Sequence, residues 1–330
     1  MAPSSMGRGV VSLFLAFVLV ISPLPASAIG GIAFADADTL ATAAYVADEF
    51  DVVQDGVTYS CETAVDGTAE IACIVAGSGV AKVNVPASIE HEGQTYKVTS
   101  LRFSGGTTAE DVEQLILPDT LEKISGWNFS KFVKVKELRI PGSIKNFSCM
   151  LQNADTLEQL TFDEGVEEIS ANSMVSGCSS LSEINLPSTL KLISGTGAFS
   201  RAESLTSITL PEGVIIDDTV GSLFSDCTSL TSVSLPASVT KISSNMFGGC
   251  TSLKSVSAAG SIDSIGDKAF ENCSSLTDID FQGTLTSIGF SAFQGCASLE
   301  SVPDLSSVTN MGSSAFYECK KLQTSVDLSS

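Results

Sequence analysis

Five cysteines, Cys227, Cys250, Cys273, Cys296 and Cys319, stand 23 residues apart. Aligning the chain on Leu230 extends that spacing into a unit with apolar residues at fixed offsets. They are Leu230, Val233, Leu235, Val239, Ile242, Phe247 and Cys250, with Pro236 after the third. The next unit reads Leu253, Val256, Ala258, Ile262, Ile265, Phe270 and Cys273, and the one after it Leu276, Ile279, Phe281, Leu285, Ile288, Phe293 and Cys296. Earlier copies start at Val112, Val135, Leu157, Leu181 and Leu205, where the register persists with small slips and the unit opening at Leu205 is two residues longer than the 23-residue spacing. Nine full units run from Val112, and a tenth begins near Leu322. The segment Leu-x-x-Val-x-Leu ends with the alternation of a short strand. The proline that follows ends it, because proline cannot donate a ladder hydrogen bond. The chain then turns, passes a second apolar pair such as Val239 and Ile242, and returns through a short helical turn carrying Phe247 and Cys250. One such loop cannot bury its own apolar face, whereas stacked loops can. The expected fold is a curved solenoid, with a parallel β-sheet on one face and short strands or helical turns on the other. At about 4.8 Å per strand the sheet is roughly 45 Å long.

The stretches Leu230-Thr231-Ser232-Val233-Ser234-Leu235-Pro236 and Phe247-Gly248-Gly249-Cys250-Thr251-Ser252-Leu253 resemble the leucine-rich repeats of BspA-like bacterial surface proteins. Period, proline position and the Phe-x-x-Cys-x-x-Leu junction carry the resemblance. The runs 50–59 and 93–101 are similar to the small β-rich N-terminal cap that leads into those repeats. The resemblance implies a leucine-rich repeat solenoid in a secreted or surface-exposed protein, in a family associated with adhesion to host matrix proteins and other cells. It brings no catalytic motif and no cofactor with it.

The first residues bear on compartment. Arg8 precedes a 12-residue apolar run, Val10 to Ile21, followed by Pro23, Pro25 and Ala26-Ser27-Ala28. That order is the one found in a secretory signal peptide, and the run is too short for a membrane span, which needs about 20 residues. Cleavage is expected after Ala28, with Ala35 as the alternative. The organisation read from the sequence is a signal peptide over 1–28, a linker over 29–49, a cap over 50–111 and repeats over 112–330. No transmembrane segment is expected in the mature chain. Because Leu322–Ser330 opens a repeat that it does not complete, the chain also reads as a spacer or recognition region of a larger surface protein or enzyme.

Composition narrows the function classes. With 17 Lys+Arg against 38 Asp+Glu the formal charge is −21, which disfavours nucleic acid and anionic lipid as partners. The only histidine, His91, lies in Ile89-Glu90-His91-Glu92-Gly93 and reads as a solvated loop residue. Histidine-rich metal sites are therefore excluded, and a serine or cysteine hydrolase of the usual kind would have only His91 to serve as its base. No catalytic, cofactor-binding or metal-ligating residue is assigned. Neither Asp36-Ala37-Asp38 nor Glu49-Phe50-Asp51 has the spacing of a calcium loop.

Nine cysteines in an exported chain would ordinarily suggest a disulfide framework. The repeated slot, however, holds Phe132, Ala154 and Ala202 in other units, and stacked equivalent side chains point the same way. Buried free thiols are expected at Cys178 and at the five evenly spaced positions. Cys61 and Cys73 flank the hairpin signal Asp66-Gly67 and form the one candidate disulfide. Cys149 falls outside the register and reads as an unpaired thiol.

Two surfaces are candidates for partners. With Val233 and Leu235 inward, Ser232 and Ser234 face outward, and the equivalent pairs are Ser207 and Thr209, Ser255 and Ser257, and Asp278 and Asp280. This flat polar row suits a protein ligand, a host extracellular matrix or cell-surface protein, though it has few of the aromatic and arginine residues that dominate interfaces. The second candidate is a basic patch of Lys131, Lys134, Lys136 and Arg139. It belongs to a run from Lys123 to Lys145 with Trp127 in the same repeat, and would suit an acidic protein or polyanion.

Overall fold

The computed structural model describes residues 47–322, apart from 65, 127, 218 and 303. The leader with both cleavage positions, the Asp36-Ala37-Asp38 triplet, Trp127 and everything after Leu322 lie outside the described residues.

The described chain opens with a sheet in the order Glu49–Gln54, Val57–Thr63, Thr68–Ala76, Gln94–Phe103, Ser88–His91. The alternating pattern of Val57, Tyr59 and Cys61 inward against Thr58, Ser60 and Glu62 outward builds the second strand. The Asp66-Gly67 turn joins it to the third, with Asp66 Oδ1 accepting from the Thr68 N–H at 3.0 Å and Gly67 at φ 79°. The expected Cys61–Cys73 disulfide is absent. A bulge leaves Ala72 without a partner, so Cys73 lies opposite Ser60 while Cys61 lies opposite Ile71. Ser60 sits on the outer face of the strand and Cys61 is buried beneath it, so the one-residue offset turns the two thiols toward different faces.

Beyond this sheet the chain winds in coils, each contributing to two parallel ladders. The first ladder takes the strand of each repeat: Lys82–Asn84, Gln114–Ile116, Glu137–Ile140, Gln159–Phe162, Glu183–Asn185, Ser232–Leu235, Ser255–Ser261 and Asp278–Gln282. Lys82–Asn84 pairs in parallel with Gln114–Ile116, so this ladder starts within the stretch read from sequence as cap. The second ladder uses the second apolar pair. Its strands are the end of Gln94–Phe103, then Lys123–Gly126, Asn146–Phe147, Glu168–Ile169, Leu192–Ile193, Ile215–Ile216, Lys241–Ile242, Ser264–Ile265, Ser287–Ile288 and Asn310–Met311. Inward residues of both ladders meet in one core: Leu230, Val233, Leu235, Val239, Ile242, Phe247 and Cys250 are each at most 4% exposed.

The returning side of each coil is not helical. Among the described residues the only helix is a single 3-10 turn, Asn128–Lys131. Elsewhere two left-handed residues per coil, such as Asn245 (φ 55°) and Gly249 (φ 77°), interrupt any helical run. The N–H groups of Asn245, Phe247 and Gly249 donate to the carbonyls of Asp267, Ala269 and Glu271 in the next coil, each at 2.8 Å. Bonds of this kind link every successive pair of coils from Leu151 to Tyr317, making a third hydrogen-bonded column. Inside it the rings of Phe199, Phe224, Phe247, Phe270, Phe293 and Phe316 stack with centroids 5.1–5.7 Å apart.

Both ladders are interrupted twice. Gln114–Ile116 does not pair with Glu137–Ile140, nor Lys123–Gly126 with Asn146–Phe147. Further along, the first ladder stops at Glu183–Asn185 and resumes at Ser232–Leu235, with the single bridge Thr209–Ser234 between. The second stops at Ile215–Ile216 and resumes at Lys241–Ile242.

Candidate interaction surface

The outer face of the first ladder carries the polar row expected from the repeat. Ser232, Ser255 and Asp278 are register partners across three strands, as are Ser234, Ser257 and Asp280. Between them Val233 and Val256 point inward and are buried, while Ser232, Ser234, Ser257 and Asp278 are exposed and Ser255 is half-buried. Ser207 and Thr209 are exposed as well, but they lie in the interrupted coil and only Thr209 is bridged to the row. Toward the N-terminus the row continues as Gln159 opposite Glu183 and Thr161 opposite Asn185. There the side chains tie themselves together: the Gln159 amide donates to Glu183 at 3.2 Å, and Asn185 donates to Thr161 at 3.3 Å and to Glu183 at 2.8 Å.

The basic patch is largely neutralised. Lys134 pairs with Asp111 at 2.8 Å, Lys136 with Glu158 at 2.7 Å and Arg139 with Asp163 at 2.7 Å. Lys131 makes no ion pair among the described residues. The hydrogen bond from Lys134 holds the Asp111 carboxyl below its ordinary range, and Asp111 in turn raises the Lys134 ammonium. The Glu158 carboxylate likewise raises Lys136. Each partner sits about one repeat away in sequence, so the pairs bind adjacent coils together rather than offering free positive charge. That spacing of 22 to 24 residues is the signal by which the pairing could have been read beforehand.

A groove of about 1100 Å³ lies over the first interruption, and composition alone did not suggest it. Ile116 and Val133 line it, each 46% exposed, beside Lys82, Gln114, Lys136 and Arg139. The sequence signal was Ile116 itself, an apolar residue at an outward offset where other strands carry polar ones.

His91 is not a free loop residue. It ends the strand Ser88–His91, stacks on Phe50 with ring centroids 3.7 Å apart and planes 9° apart, and its Nε2 lies 2.7 Å from Asp48 Oδ2. The tight turn at Glu92 and Gly93, both at positive φ, returns the chain against this pair. In this way the first and last strands of the N-terminal sheet meet without sharing a hydrogen-bonded ladder. Asp48, His91 and Glu92 bring one ligand-type atom each within 4.8 Å, an arrangement the single histidine did not suggest. The Asp48–His91 contact already accounts for the position of the imidazole.

The repeated strand, the proline stop, the second ladder and the Phe-Cys return together define the coil, and a family model built on that coil matches. The BspA type leucine rich repeat region matches residues 107–220 and 195–323, in six copies. The chain belongs to this family. Solved structures of similar chains include a leucine-rich repeat protein from Bacteroides ovatus, 20% identical, covering 83% of this chain and 94% of that one at a TM-score of 0.44. The Treponema pallidum leucine rich repeat protein is 23% identical, covering 75% of this chain and 89% of that one at a TM-score of 0.42. A leucine rich cell surface protein from Faecalibacterium prausnitzii is 21% identical, covering 83% of this chain and 93% of that one at a TM-score of 0.37. No curated protein matches the chain. As a bacterial BspA-type leucine-rich repeat protein, it has the character of a protein-interaction module. No helix among its described residues is long and apolar enough to cross a membrane.

Proposed function

We propose that this is an exported adhesion module, displayed at or released from the bacterial surface, that binds a host matrix or cell-surface protein through the outer row of its first ladder. The observation that carries the reading is the register of that row. Ser232, Ser255 and Asp278, and next to them Ser234, Ser257 and Asp280, form two polar lines across three consecutive strands. Stacked strands give a rigid, extended surface, and a standard interface needs roughly 800 Å² per partner. The leader over residues 1–28 supports export. Short side chains let a partner approach the sheet closely, and the absence of aromatic anchors in the row keeps each contact weak.

The test is binding of the full chain to immobilised matrix proteins. Ser234→Lys combined with Ser257→Lys is expected to reduce binding at least tenfold, while Ser274→Lys, away from the row, leaves it unchanged. Equal binding by wild type and the double variant would remove the row from the interface. Export is tested separately, by N-terminal sequencing of material recovered from the culture medium, with Ile29 expected as the first residue or Asp36 if cleavage follows Ala35.

A further inference from the structure

The N-terminal sheet begins on Glu49–Gln54 and ends on Ser88–His91, two strands that share no hydrogen-bonded ladder. A small group of side chains joins them instead. Asp48 stands just before the first strand, and its backbone is tied twice to Thr63. The Asp48 N–H donates to Thr63 Oγ1 at 3.2 Å, and the Asp48 carbonyl accepts from the Thr63 N–H at 3.1 Å. His91 closes the last strand with its ring flat on Phe50 and its Nε2 2.7 Å from Asp48 Oδ2. Two of the three groups are thus fixed before any ligand arrives.

The third is placed by a turn. Successive side chains of a strand leave on opposite faces, so a continued strand would carry Glu92 away from His91. Glu90 behaves in this way, and its carboxylate accepts from Thr95 Oγ1 at 3.2 Å. Glu92, however, is the first residue of the two-residue turn between the register partners His91 and Gln94, and it takes left-handed angles (φ 51°) ahead of Gly93 (φ 77°). Asparagine, aspartate and glycine are the usual occupants of such a position. The turn breaks the alternation and returns the Glu92 carboxylate to the side of the imidazole. One ligand-type atom from each of Asp48, His91 and Glu92 then lies within 4.8 Å of the others.

We propose that Asp48, His91 and Glu92 bind one divalent transition ion of the zinc type, which clasps the first strand of the N-terminal sheet to the last. The donor set selects the ion. An imidazole nitrogen suits zinc and its neighbours, whereas calcium and magnesium take oxygen ligands, and two carboxylates balance the charge of a divalent cation. Ligand atoms each about 2.1 Å from one ion stand about 3–3.5 Å apart. Nε2 and Oδ2 need only a small separation to reach that spacing, and the exposed Glu92 side chain can close on them by rotation. In the metal-free chain a proton on Nε2 holds the Asp48–His91 pair; the ion takes its place, and the neutral imidazole keeps its hydrogen on Nδ1. Asp48 and Glu92 are both exposed, which gives the ion a path from solvent. The ion would tie residues 43 positions apart, so binding stabilises the sheet against opening at these edges.

Calorimetric titration of zinc chloride into the full chain, with the accessible thiols alkylated beforehand, tests the site. One ion per chain is expected. His91→Gln and Glu92→Gln are each expected to weaken binding by about tenfold or more, since losing even a group that supports a ligand costs that much. Zinc should also slow hydrogen–deuterium exchange over 47–54 and 88–97, a chelator should reverse the effect, and calcium should not reproduce it. Three results would overturn the proposal: no zinc binding, equal binding by wild type and both variants, or calcium binding as tightly as zinc, which would mark an acidic surface only. Zinc binding that leaves exchange over 47–54 unchanged would dispose of the clasp. Should His91→Gln fail to fold by circular dichroism, Glu92→Gln in the exposed turn decides.

Discussion

The Cys273 thiol donates to the backbone carbonyl of Phe247, one coil back, across 3.0 Å. The same carbonyl receives the Cys250 N–H at 3.0 Å, so the thiol fills its second lone pair. Cys227, Cys250, Cys296 and Cys319 repeat the bond at 3.1 Å, and Cys178 makes it to Leu151 at 3.2 Å. Cysteine in this slot is therefore a small apolar residue with one weak donor, pointed at the neighbouring coil. Alanine, present at Ala154 and Ala202, keeps the packing and gives up the donor. Replacing Cys273 with alanine is expected to cost about 1–2 kcal/mol by urea denaturation, from lost packing volume and the lost bond together. At Cys319, which is only partly buried, the same change should cost less.

Alkaline pH should unfold the chain through these thiols. Burial pushes Cys178 and Cys227 up to about 12 from the ordinary 9.0, and Cys149 likewise. A thiol raised in the folded state contributes stability that is intact below the unfolded value and is lost as pH rises toward the folded one. The urea midpoint should thus hold to about pH 9 and fall steadily up to about pH 12. Cys227→Ala combined with Cys273→Ala should flatten that slope, even though it lowers the midpoint at neutral pH.

Thiol labelling separates the cysteines by position. Cys73 and Cys319 are the two that are not fully buried. Alkylation of the native chain should modify those two, and alkylation in denaturant without reductant should modify all nine. A denatured count of seven would restore the Cys61–Cys73 disulfide.

The Phe stack should dominate local stability. Phe247 lies between Phe224 at 5.6 Å and Phe270 at 5.3 Å and is fully buried. Phe247→Ala is expected to cost about 3–5 kcal/mol by denaturant titration, the range for deleting a buried aromatic ring.

Charge reversal at the former basic patch should do little to stability. The Lys134 and Lys136 pairs are solvent-exposed, and exposed pairs gain little because water screens them and two long side chains must be ordered. Lys134→Glu with Lys136→Glu should shift the unfolding midpoint only slightly, and more in low salt than in high salt.

The repeat made most of the fold legible, because apolar residues at offsets such as Leu230, Val233 and Leu235 define a strand, its inward face and its neighbour in one step. The outward row Ser232, Ser234, Ser255 and Ser257 followed from the same alternation. What the period could not convey was anything decided by backbone conformation. The return through Phe247 and Cys250 has the length of a helical turn, but Asn245 and Gly249 take left-handed angles that a residue count does not reveal. The pair Cys61 and Cys73 is symmetrical about Gly67 in sequence, and the single extra residue Ala72 removes that symmetry in space. His91 looked isolated because Asp48 and Phe50, which hold it, are more than forty residues away and reach it only when the sheet folds round.

The left-handed positions recur along the third column as Asn245 and Gly249, Lys268 and Asn272, Ser291 and Gly295, Ser314 and Glu318. Amide, ammonium, hydroxyl, carboxylate and bare glycine all occupy them. A fold so indifferent to chemistry at its turns keeps its instructions in counting: exchanging one residue for another is a local matter, whereas adding or removing one shifts every contact on one side of the change against the other. Such a chain can diverge widely in composition while the count from one coil to the next stays within a residue or two of 23.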